Sequence, residues 1–228
     1  MKVTLLVPTL NEITGMKAIM PKVKKAWVDE IVLIDGGSTD GTVEYAREQG
    51  YRILHQKSRG ITRAYGEALP HLKGDIVIAF SPDGNSVPER IPALIDKMRE
   101  GYDMVIVSRY LDGASSEDDD RVTALGNWMF TKIINILFGG RYTDSLVMFR
   151  AWRNGVVKDV PTTFPRAGLE PYLAIQCAKR KLKVAEISGD EPKRLGDHRK
   201  MKPMLNGLNI LGLIVTELFN GIQKEEDR

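Results

Sequence analysis

The first part of the chain contains short apolar runs, and three of them end directly in a polar, turn-forming cluster. The runs are residues 3–7, 31–34 and 75–80, and the clusters that follow them are residues 8–12, 35–42 and 81–85. Continuous apolar runs of this length are typical of strands buried in a parallel sheet. Open α/β sheets bind their ligands at the carboxyl ends of such strands. The three clusters are therefore predicted to be functional loops.

Helices are predicted between these runs. They cover residues 16–27, 39–49, 60–72 and 88–100, and further strands are predicted at 52–55 and 104–108. Thr39 and Asp40 can cap the second helix, and Pro70 is expected to break the third one near its end. Strand and helix alternate along the chain, which predicts an α/β fold with parallel strand pairing and right-handed crossovers.

Composition narrows the class of protein. Cys177 is the only cysteine, so an intrachain disulfide is excluded and a reducing, cytoplasmic location is favoured. The formal net charge is +3, which argues against a dedicated nucleic-acid-binding protein. Met1 and Lys2 lead straight into the first predicted strand, and no signal peptide is expected.

The cluster Ser81-Pro82-Asp83-Gly84-Asn85 carries the clearest candidate chemistry. Asp83 and Asn85 lie two residues apart and can offer two hard oxygen ligands to one divalent cation, Mg²⁺ or Mn²⁺. The remaining positions of such a cation are then open to a diphosphate and to water. The same residue types also form ordinary turns, so this cluster alone does not establish a metal site.

Five segments resemble family 2 glycosyltransferases of GT-A fold, and among them the polyprenyl-phosphate (dolichol-phosphate) sugar synthases such as the mannose synthases. The segments are VPTLNE at 7–12, IDGGSTDGT at 34–42, SPDGN at 81–85, VSRY at 107–110 and DSLVMFRAWR at 144–153. The resemblance covers nearly the whole chain. It implies a GT-A nucleotide-diphospho-sugar transferase fold, with a mostly parallel central sheet flanked by helices. We assign this domain to residues 1–203, and residues 204–228 to an amphipathic helical tail packed on the domain or on a membrane surface.

The resemblance also implies an inverting, metal-dependent transfer of a sugar from a GDP- or UDP-sugar to a polyprenyl (dolichyl) phosphate. The donor-binding residues that it implies are Pro8, Leu10, Glu12, Asp35, Gly36, Ser81, Pro82 and Asp83, and the implied metal ligands are Asp83 and Asn85. The chain departs from the family pattern at three of these positions, and at one of them Asn85 replaces a glutamine. Gly36 replaces the second of two acidic residues, which leaves the nucleobase open. Ser81 replaces the first aspartate of the metal motif, so a functional but weaker metal site is expected.

Basic residues are expected to bind the phosphates. By resemblance, the acceptor-phosphate candidates are Arg109, Arg121, Lys193, Arg194 and Arg199, and the catalytic set is Asp83, Arg109 and Arg199. A planar guanidinium suits bidentate phosphate contacts, although most exposed arginines simply add surface charge. The acidic run at 115–120, beside Arg121, is predicted to be a solvated, flexible loop.

Residues 122–138 are almost continuously apolar and are predicted to form a helix of about 26 Å. Asn127, Lys132 and Asn135 interrupt it, so it is expected to lie in a membrane interface rather than to cross the bilayer. A core helix or a homodimer helix is the alternative. The interface interpretation places the protein peripherally at the cytoplasmic face of a membrane.

Two other functions remain open at this point. The first is a glycosyltransferase with a soluble hydroxyl acceptor, which would need a general base, whereas a phosphate acceptor is already ionised at pH 7. Glu170 is the candidate base, and it can equally be a structural carboxylate at the start of a helix. The second is a catalytically weak nucleotide-sugar-binding protein, suggested by Ser81.

Overall fold

The computed structural model describes residues 1–157, 159–195 and 203–220. Seven strands form one sheet in the order β3-β2-β1-β4-β6-β5-β7. The strands are β1 Val3–Thr9, β2 Glu30–Asp35, β3 Arg52–His55, β4 Ile76–Ala79, β5 Met104–Ser108, β6 Arg150–Arg153 and β7 Val184–Ser188. The mostly parallel α/β sheet predicted from the sequence is thus confirmed.

One strand runs against the rest. β1 pairs in parallel with β2 and with β4, and β5 pairs in parallel with β7, but β6 lies antiparallel between β4 and β5. The sheet is therefore mostly parallel, as predicted, and β6 is its antiparallel strand. The helix and loop that precede β6 leave the chain at the end of the sheet where β5 finishes, so β6 starts there and runs in the reverse direction.

Helices flank the sheet, and prolines shift several boundaries from those predicted. The α-helices are α1 Ile13–Ile19, α2 Thr42–Glu48, α3 Ile61–Ala68, α4 Ile91–Arg99, α5 Arg121–Phe138, α6 Glu170–Lys179 and α7 Pro203–Phe219. Short 3₁₀ turns follow α1 and α3 at Met20–Lys22 and Leu69–His71, and one precedes α4 at Pro88–Arg90. Each turn contains a proline at its first or second position. Because proline lacks the amide proton and clashes with the preceding turn, it separates these segments from the regular helix.

The core lies on both faces of the sheet. The side chains of β4 and β5 are all buried, as expected for central strands covered by helices on both sides. Phe80, just after β4, meets Phe149, just before β6, edge to face with ring centroids 5.5 Å apart. The residues that continue from these strands into the loops are therefore held on a rigid frame.

Helix α5 is polar inside and apolar outside. Its buried residues are Thr123, Asn127, Thr131 and Ile134. The amide of Asn127 donates to Asp119 at 2.9 Å, and that of Asn135 donates to the carbonyl of Tyr142 at 2.8 Å. The asparagines predicted to make this helix polar therefore point into the protein.

Apolar side chains make up most of the outer surface of α5, where Lys132 is also exposed, and further exposed apolar side chains lie on α7, which contacts α5. Val122, Trp128 and Ile136 are 72%, 59% and 79% exposed, and on α7 the exposed set is Met204, Leu205, Leu208, Leu211, Val215, Leu218 and Phe219. We call this surface the α5–α7 outer face. Neither helix, nor any other in the parts of the chain that the structure describes, is long and apolar enough to cross a membrane.

The segment predicted as a tail is in part a packed helix. Ile210, Leu213 and Ile214 of α7 are buried, and Glu217 accepts hydrogen bonds from Gln176 and Lys179 of α6 at 2.7 and 3.1 Å. Residues 221–228 of the predicted tail lie outside the described ranges.

Candidate active site

The loops that follow β1 and β2 lie side by side at one edge of the sheet. Thr9 and Asp35 are in register across the two strands, and the Gly36 amide donates to the Thr9 carbonyl at 2.8 Å. Beyond the strands, the Asn11 side chain accepts from the Thr39 amide at 2.8 Å, and the Asn11 amide donates to the Ser38 hydroxyl at 2.8 Å. The two loops predicted to bind the donor therefore form one unit.

Asp35 holds this unit together from within. One carboxylate oxygen accepts from the Gly37 and Ser38 amides at 2.9 and 3.0 Å, and the other accepts from the hydroxyls of Ser38 and Thr9 at 2.5 and 3.2 Å. A carboxylate has about four lone-pair positions, and these four donors use them. Asp35, predicted to contact the donor, is thus positioned to shape the loop rather than to bind a ligand directly.

Gly36, which stands where the family carries a second acidic residue, lies close to the Gln56 side chain. A Cβ added to Gly36 would lie 3.3 Å from the Gln56 side-chain oxygen and 3.4 Å from the Thr9 carbonyl oxygen. Gln56 is held in turn by a 2.8 Å hydrogen bond from its amide to the Gly60 carbonyl. The Gln56 side chain therefore borders the space that a longer residue 36 would need.

The other predicted donor residues line the same edge. Pro8 is the penultimate residue of β1 and half-buried, Leu10 is exposed, and Glu12 immediately precedes α1. The Phe80 amide donates to the Leu6 carbonyl at 3.0 Å, which sets the start of the 81–85 segment beside the end of β1.

The 81–85 segment is a tight turn that presents two side chains. Asp83 accepts from the Asn85 amide at 3.1 Å, and Gly84 adopts a φ of 97°, a conformation that favours glycine. The Asp83 carbonyl accepts from the Leu195 amide at 2.6 Å. Pro82 is buried and its carbonyl packs against Gly15, where a Cβ would overlap it. These contacts fix the turn on both sides.

The acidic run at 115–120 is folded onto this turn, which corrects the prediction of a solvated, flexible loop. Asp118 pairs with Arg194, whose Nη2 and Nε lie 2.6 and 3.0 Å from its two carboxylate oxygens. The same carboxylate accepts from the Asn85 side-chain amide at 3.3 Å, and Arg194 Nη1 lies 3.9 Å from Asp83. Burial opposes ionisation of Asp118, but the hydrogen bonds and charge of Arg194 outweigh it and lower the pKa of the carboxyl.

Arg109 is buried and bound by carboxylates instead of facing an open phosphate site. Its Nε and Nη2 donate to the two oxygens of Asp144 at 2.6 and 3.0 Å. Its Nη1 donates to Asp119 at 3.1 Å and to Glu191 at 3.2 Å. Burial would lower the pKa of Arg109, but the carboxylates, with Asp144 foremost, raise it well above its ordinary value. Arg109 therefore positions the surrounding carboxylates, and the two nitrogens that could bind a phosphate in a bidentate manner bind Asp144 instead.

The remaining predicted residues are more dispersed. Arg121 is exposed at the first position of α5, and Lys193 lies one residue before Arg194. Arg199, predicted to be catalytic and to bind the acceptor phosphate, lies outside the described residues. Glu170 is buried at the start of α6, where the Tyr65 hydroxyl donates to it at 3.3 Å, and burial raises its pKa. This placement favours the structural interpretation of Glu170.

The side chains of Asp83 and Asn85 fit a divalent cation. Asn85 Oδ1 is a buried acceptor without a hydrogen-bond partner in the described parts of the chain, and it lies on the turn that carries the Asp83 carboxylate. Those parts contain no cluster of three or more His, Cys, Asp or Glu that could hold a metal. The residues therefore suit a cation that takes a few protein oxygens and completes its shell with phosphate and water.

Sequence reasoning missed the carboxylates that bind the arginines. Asp144 lies in the DSLVMFRAWR segment and Glu191 lies three residues beyond β7, but neither position carries a local pattern that predicts an arginine partner. Glu191 comes near Arg109 because β7 pairs with β5 and the two strands end together, and this pairing is visible only in the structure. The roles of Asp118 and Asp119 were missed because both lie in a run of acidic residues, and such runs are usually exposed to solvent.

Comparison with known proteins agrees with this architecture. The model of the family "Glycosyl transferase family 2" matches residues 4–159. The protein "Glycosyltransferase AglJ" of Haloferax volcanii is 29% identical over 222 residues, which cover 95% of this chain and 71% of that protein. A "Dolichyl-phosphate hexose transferase" of the same organism is 30% identical over 181 residues, covering 79% of this chain and 77% of that protein.

Solved structures share the fold at lower identity. Glucosyl-3-phosphoglycerate synthase of Mycobacterium tuberculosis, in complex with Mn²⁺, UDP and phosphoglyceric acid, superposes with a TM-score of 0.72 at 22% identity. The match covers 98% of this chain and 80% of that chain. Together with the family match, this likeness shows that the chain has the GT-A fold and belongs to glycosyl transferase family 2.

Proposed function

We propose that this glycosyltransferase moves a sugar from a nucleotide-sugar donor, with a divalent cation, to a polyprenyl phosphate at a membrane surface. The observation that carries the acceptor assignment is the α5–α7 outer face, whose exposed side chains are mostly apolar, whereas Thr123, Asn127 and Thr131 of α5 are buried. The exposed cations of α5 are Arg121 and Lys132. Soluble proteins seldom expose large continuous apolar surfaces without a binding role. A relative named as a dolichyl-phosphate hexose transferase supports the same class of acceptor.

The donor side rests on the loops after β1 and β2 and on the 81–85 turn. Asp83 and Asn85 would hold Mg²⁺ or Mn²⁺, and the cation would neutralise the charge of the diphosphate leaving group. The structural neighbour binds Mn²⁺ together with UDP, which makes a UDP-sugar the first donor to test and a GDP-sugar the second. The joined loops at 8–12 and 35–42 would hold the nucleoside.

The acceptor chemistry fits a phosphate. A phosphate oxygen is ionised at neutral pH and attacks without a general base, whereas a sugar hydroxyl needs one. Glu170, the candidate base for a hydroxyl, is buried against Tyr65. Arg194 and Arg121 are the described cations that we assign to phosphate binding, together with Lys193. Attack from the face opposite the diphosphate would invert the configuration at the sugar carbon.

A transfer assay tests this function directly. Radiolabelled UDP- and GDP-sugars are incubated with the protein, Mn²⁺ and vesicles that contain a polyprenyl phosphate, and label is counted in the organic phase. We expect label in the lipid, and its loss when EDTA is added. Label that never enters the lipid with any donor would contradict the proposal.

A soluble acceptor is the second candidate, and the likeness to glucosyl-3-phosphoglycerate synthase favours it. The same assay with 3-phosphoglycerate in place of the lipid distinguishes the two, because the product then stays in the aqueous phase. Hydrolysis of the donor without transfer to either acceptor would instead support the catalytically weak binding protein.

The α5–α7 outer face is expected to dock on a lipid surface, peripherally and, we propose, on the cytoplasmic side. The double variant Trp128→Ser/Ile136→Ser should reduce flotation with acidic liposomes by about tenfold or more, because each side chain contributes about 1.5–3 kcal/mol when it leaves water. Liposome flotation measures the loss. UDP binding with Mn²⁺ should stay unchanged.

Phe130→Ser provides the contrasting control. Phe130 is half-buried and packs near Gly207 of α7. Its loss should therefore lower the melting temperature of the protein, and not only reduce its binding to liposomes. A parent protein that never floats, and that forms a dimer dissociated by Trp128→Ser/Ile136→Ser, would show that this face is a homodimer interface.

A further inference from the structure

The 81–85 turn is one carboxylate short of its family pattern, because Ser81 occupies the position of the first aspartate. The Ser81 amide donates to the Ser86 hydroxyl at 3.4 Å, a hydrogen bond within the same loop. One carboxylate, that of Asp83, therefore comes from the turn itself. Any further protein carboxylate for a cation must come from another segment.

Asp118 brings such a carboxylate to the turn. One of its oxygens accepts from the Asn85 side-chain amide at 3.3 Å, and the Asn85 backbone amide donates to Asp83 at 3.1 Å. Asn85 thus contacts both carboxylates, one through its side chain and one through its backbone. The oxygen of this amide, Oδ1, is the buried acceptor without a partner in the described structure.

A cation already lies between the two carboxylates. The Arg194 guanidinium places Nη2 2.6 Å from Asp118 and Nη1 3.9 Å from Asp83. The tight contact is with Asp118 and the contact with Asp83 is long, so the guanidinium binds one carboxylate and only approaches the other. A compact divalent ion binds oxygen at about 2.0–2.6 Å and would suit several hard oxygens gathered at one point.

The segment that carries Asp118 is built into the fold. The Ser116 hydroxyl donates to the Glu191 carboxylate, and the Glu117 amide donates to the Glu191 carbonyl at 2.9 Å. On the other side, Asp120 caps α5 by accepting from the Thr123 amide at 2.7 Å. Asp118 is therefore held at the turn by neighbours on both sides in sequence.

We propose that Asp118 supplies the second carboxylate of the divalent-cation site, in place of the one missing at position 81. Arg194 stands in for the cation in this state and is released to the substrate phosphates when the cation binds. The inference rests on the proposed function, since it names a further ligand for the cation that the donor requires. It makes Asp118 part of the active site.

Binding of Mn²⁺ in the presence of UDP, followed by electron paramagnetic resonance of the free ion, tests this without any turnover. Asp118→Asn should weaken Mn²⁺ binding by at least about 10- to 100-fold, the range for losing a group that only orients a metal ligand. Adding Ser81→Asp to Asp118→Asn should recover most of the lost affinity, because a carboxylate then returns to the turn. Melting curves without metal check that each variant is folded.

Glu117→Gln is the matched control, since it removes one charge from the adjacent, exposed position. It should bind Mn²⁺ as the parent does. If Asp118→Asn matches Glu117→Gln, or binds Mn²⁺ more tightly than the parent, Asp118 is only a counter-ion for Arg194 and the inference is wrong, while the proposed function stands. If the parent does not bind Mn²⁺ with UDP, the metal-dependent function itself is wrong.

Discussion

Replacing Asp83 with asparagine is expected to weaken Mn²⁺-dependent UDP binding by more than about 100-fold. Asp83 is the carboxylate on the 81–85 turn, and loss of groups that merely orient metal ligands already costs about 10- to 100-fold. Asparagine keeps the size of the side chain and one acceptor oxygen, so the turn should remain folded. Isothermal titration of UDP with and without Mn²⁺ measures the effect.

Asp96→Asn is a suitable control for that experiment, because Asp96 is an exposed residue of α4 whose charge pairs with Arg99. It should leave UDP affinity unchanged. Equal Mn²⁺-dependent affinity in Asp83→Asn and the parent would exclude Asp83 as a metal ligand.

Replacing Arg109 with methionine should cost about 3–5 kcal/mol of folding free energy, the range for removing one partner of a buried ion pair. The variant leaves the fully buried Asp144 without its bidentate partner, and it also removes the contact to Glu191. Methionine fills much of the same space, so the loss reflects charge more than volume. Urea unfolding at pH 7 measures it.

The pH dependence of this variant has a definite sign. In the parent, burial would raise the pKa of Asp144, but Arg109 outweighs burial and lowers that pKa. The ion pair therefore stabilises the folded protein fully at pH values above the pKa of an unfolded aspartate, about 3.9, and this stabilisation is lost as the pH falls through the lowered pKa. Without Arg109, burial raises the Asp144 pKa. The deficit of Arg109→Met relative to the parent should therefore shrink as the pH falls from 7 to 5.

Arg99→Met is the matched control for charge removal. Arg99 forms an exposed pair with Asp96, and such pairs contribute less than about 1 kcal/mol. If Arg109→Met loses as little stability as Arg99→Met, the carboxylates around Arg109 are not held by it.

The arrangement of strands and donor loops could be predicted because it depends on local patterns. The apolar runs identify β1, β2 and β4, and their polar ends identify the loops that meet at one edge. The reversal of β6 could not be predicted in the same way. Its four residues fit either direction, and the path of the preceding chain decides the orientation.

The electrostatic part of the site was less predictable, because it depends on pairs far apart in the chain. Arg109 meets Asp144 35 positions later, and Arg194 meets Asp118 76 positions earlier. The sequence identifies these arginines as candidate binding residues, but it does not show whether they bind phosphates or protein carboxylates. The same limit applies to α5, where the apolar stretch was evident but the inward direction of Asn127 required the packing against Asp119.

The saturated carboxylate of Asp35 has a consequence for the energetics of donor recognition. Because its four hydrogen bonds order the 35–42 loop when the protein folds, the donor meets a loop that is already in shape and loses less conformational entropy on binding. The ion pair of Asp118 with Arg194, by contrast, must open if a phosphate is to reach that arginine. We therefore expect the preference among nucleosides to reside in a rigid half of the site, and the rates of donor entry and release to be governed by the acidic half.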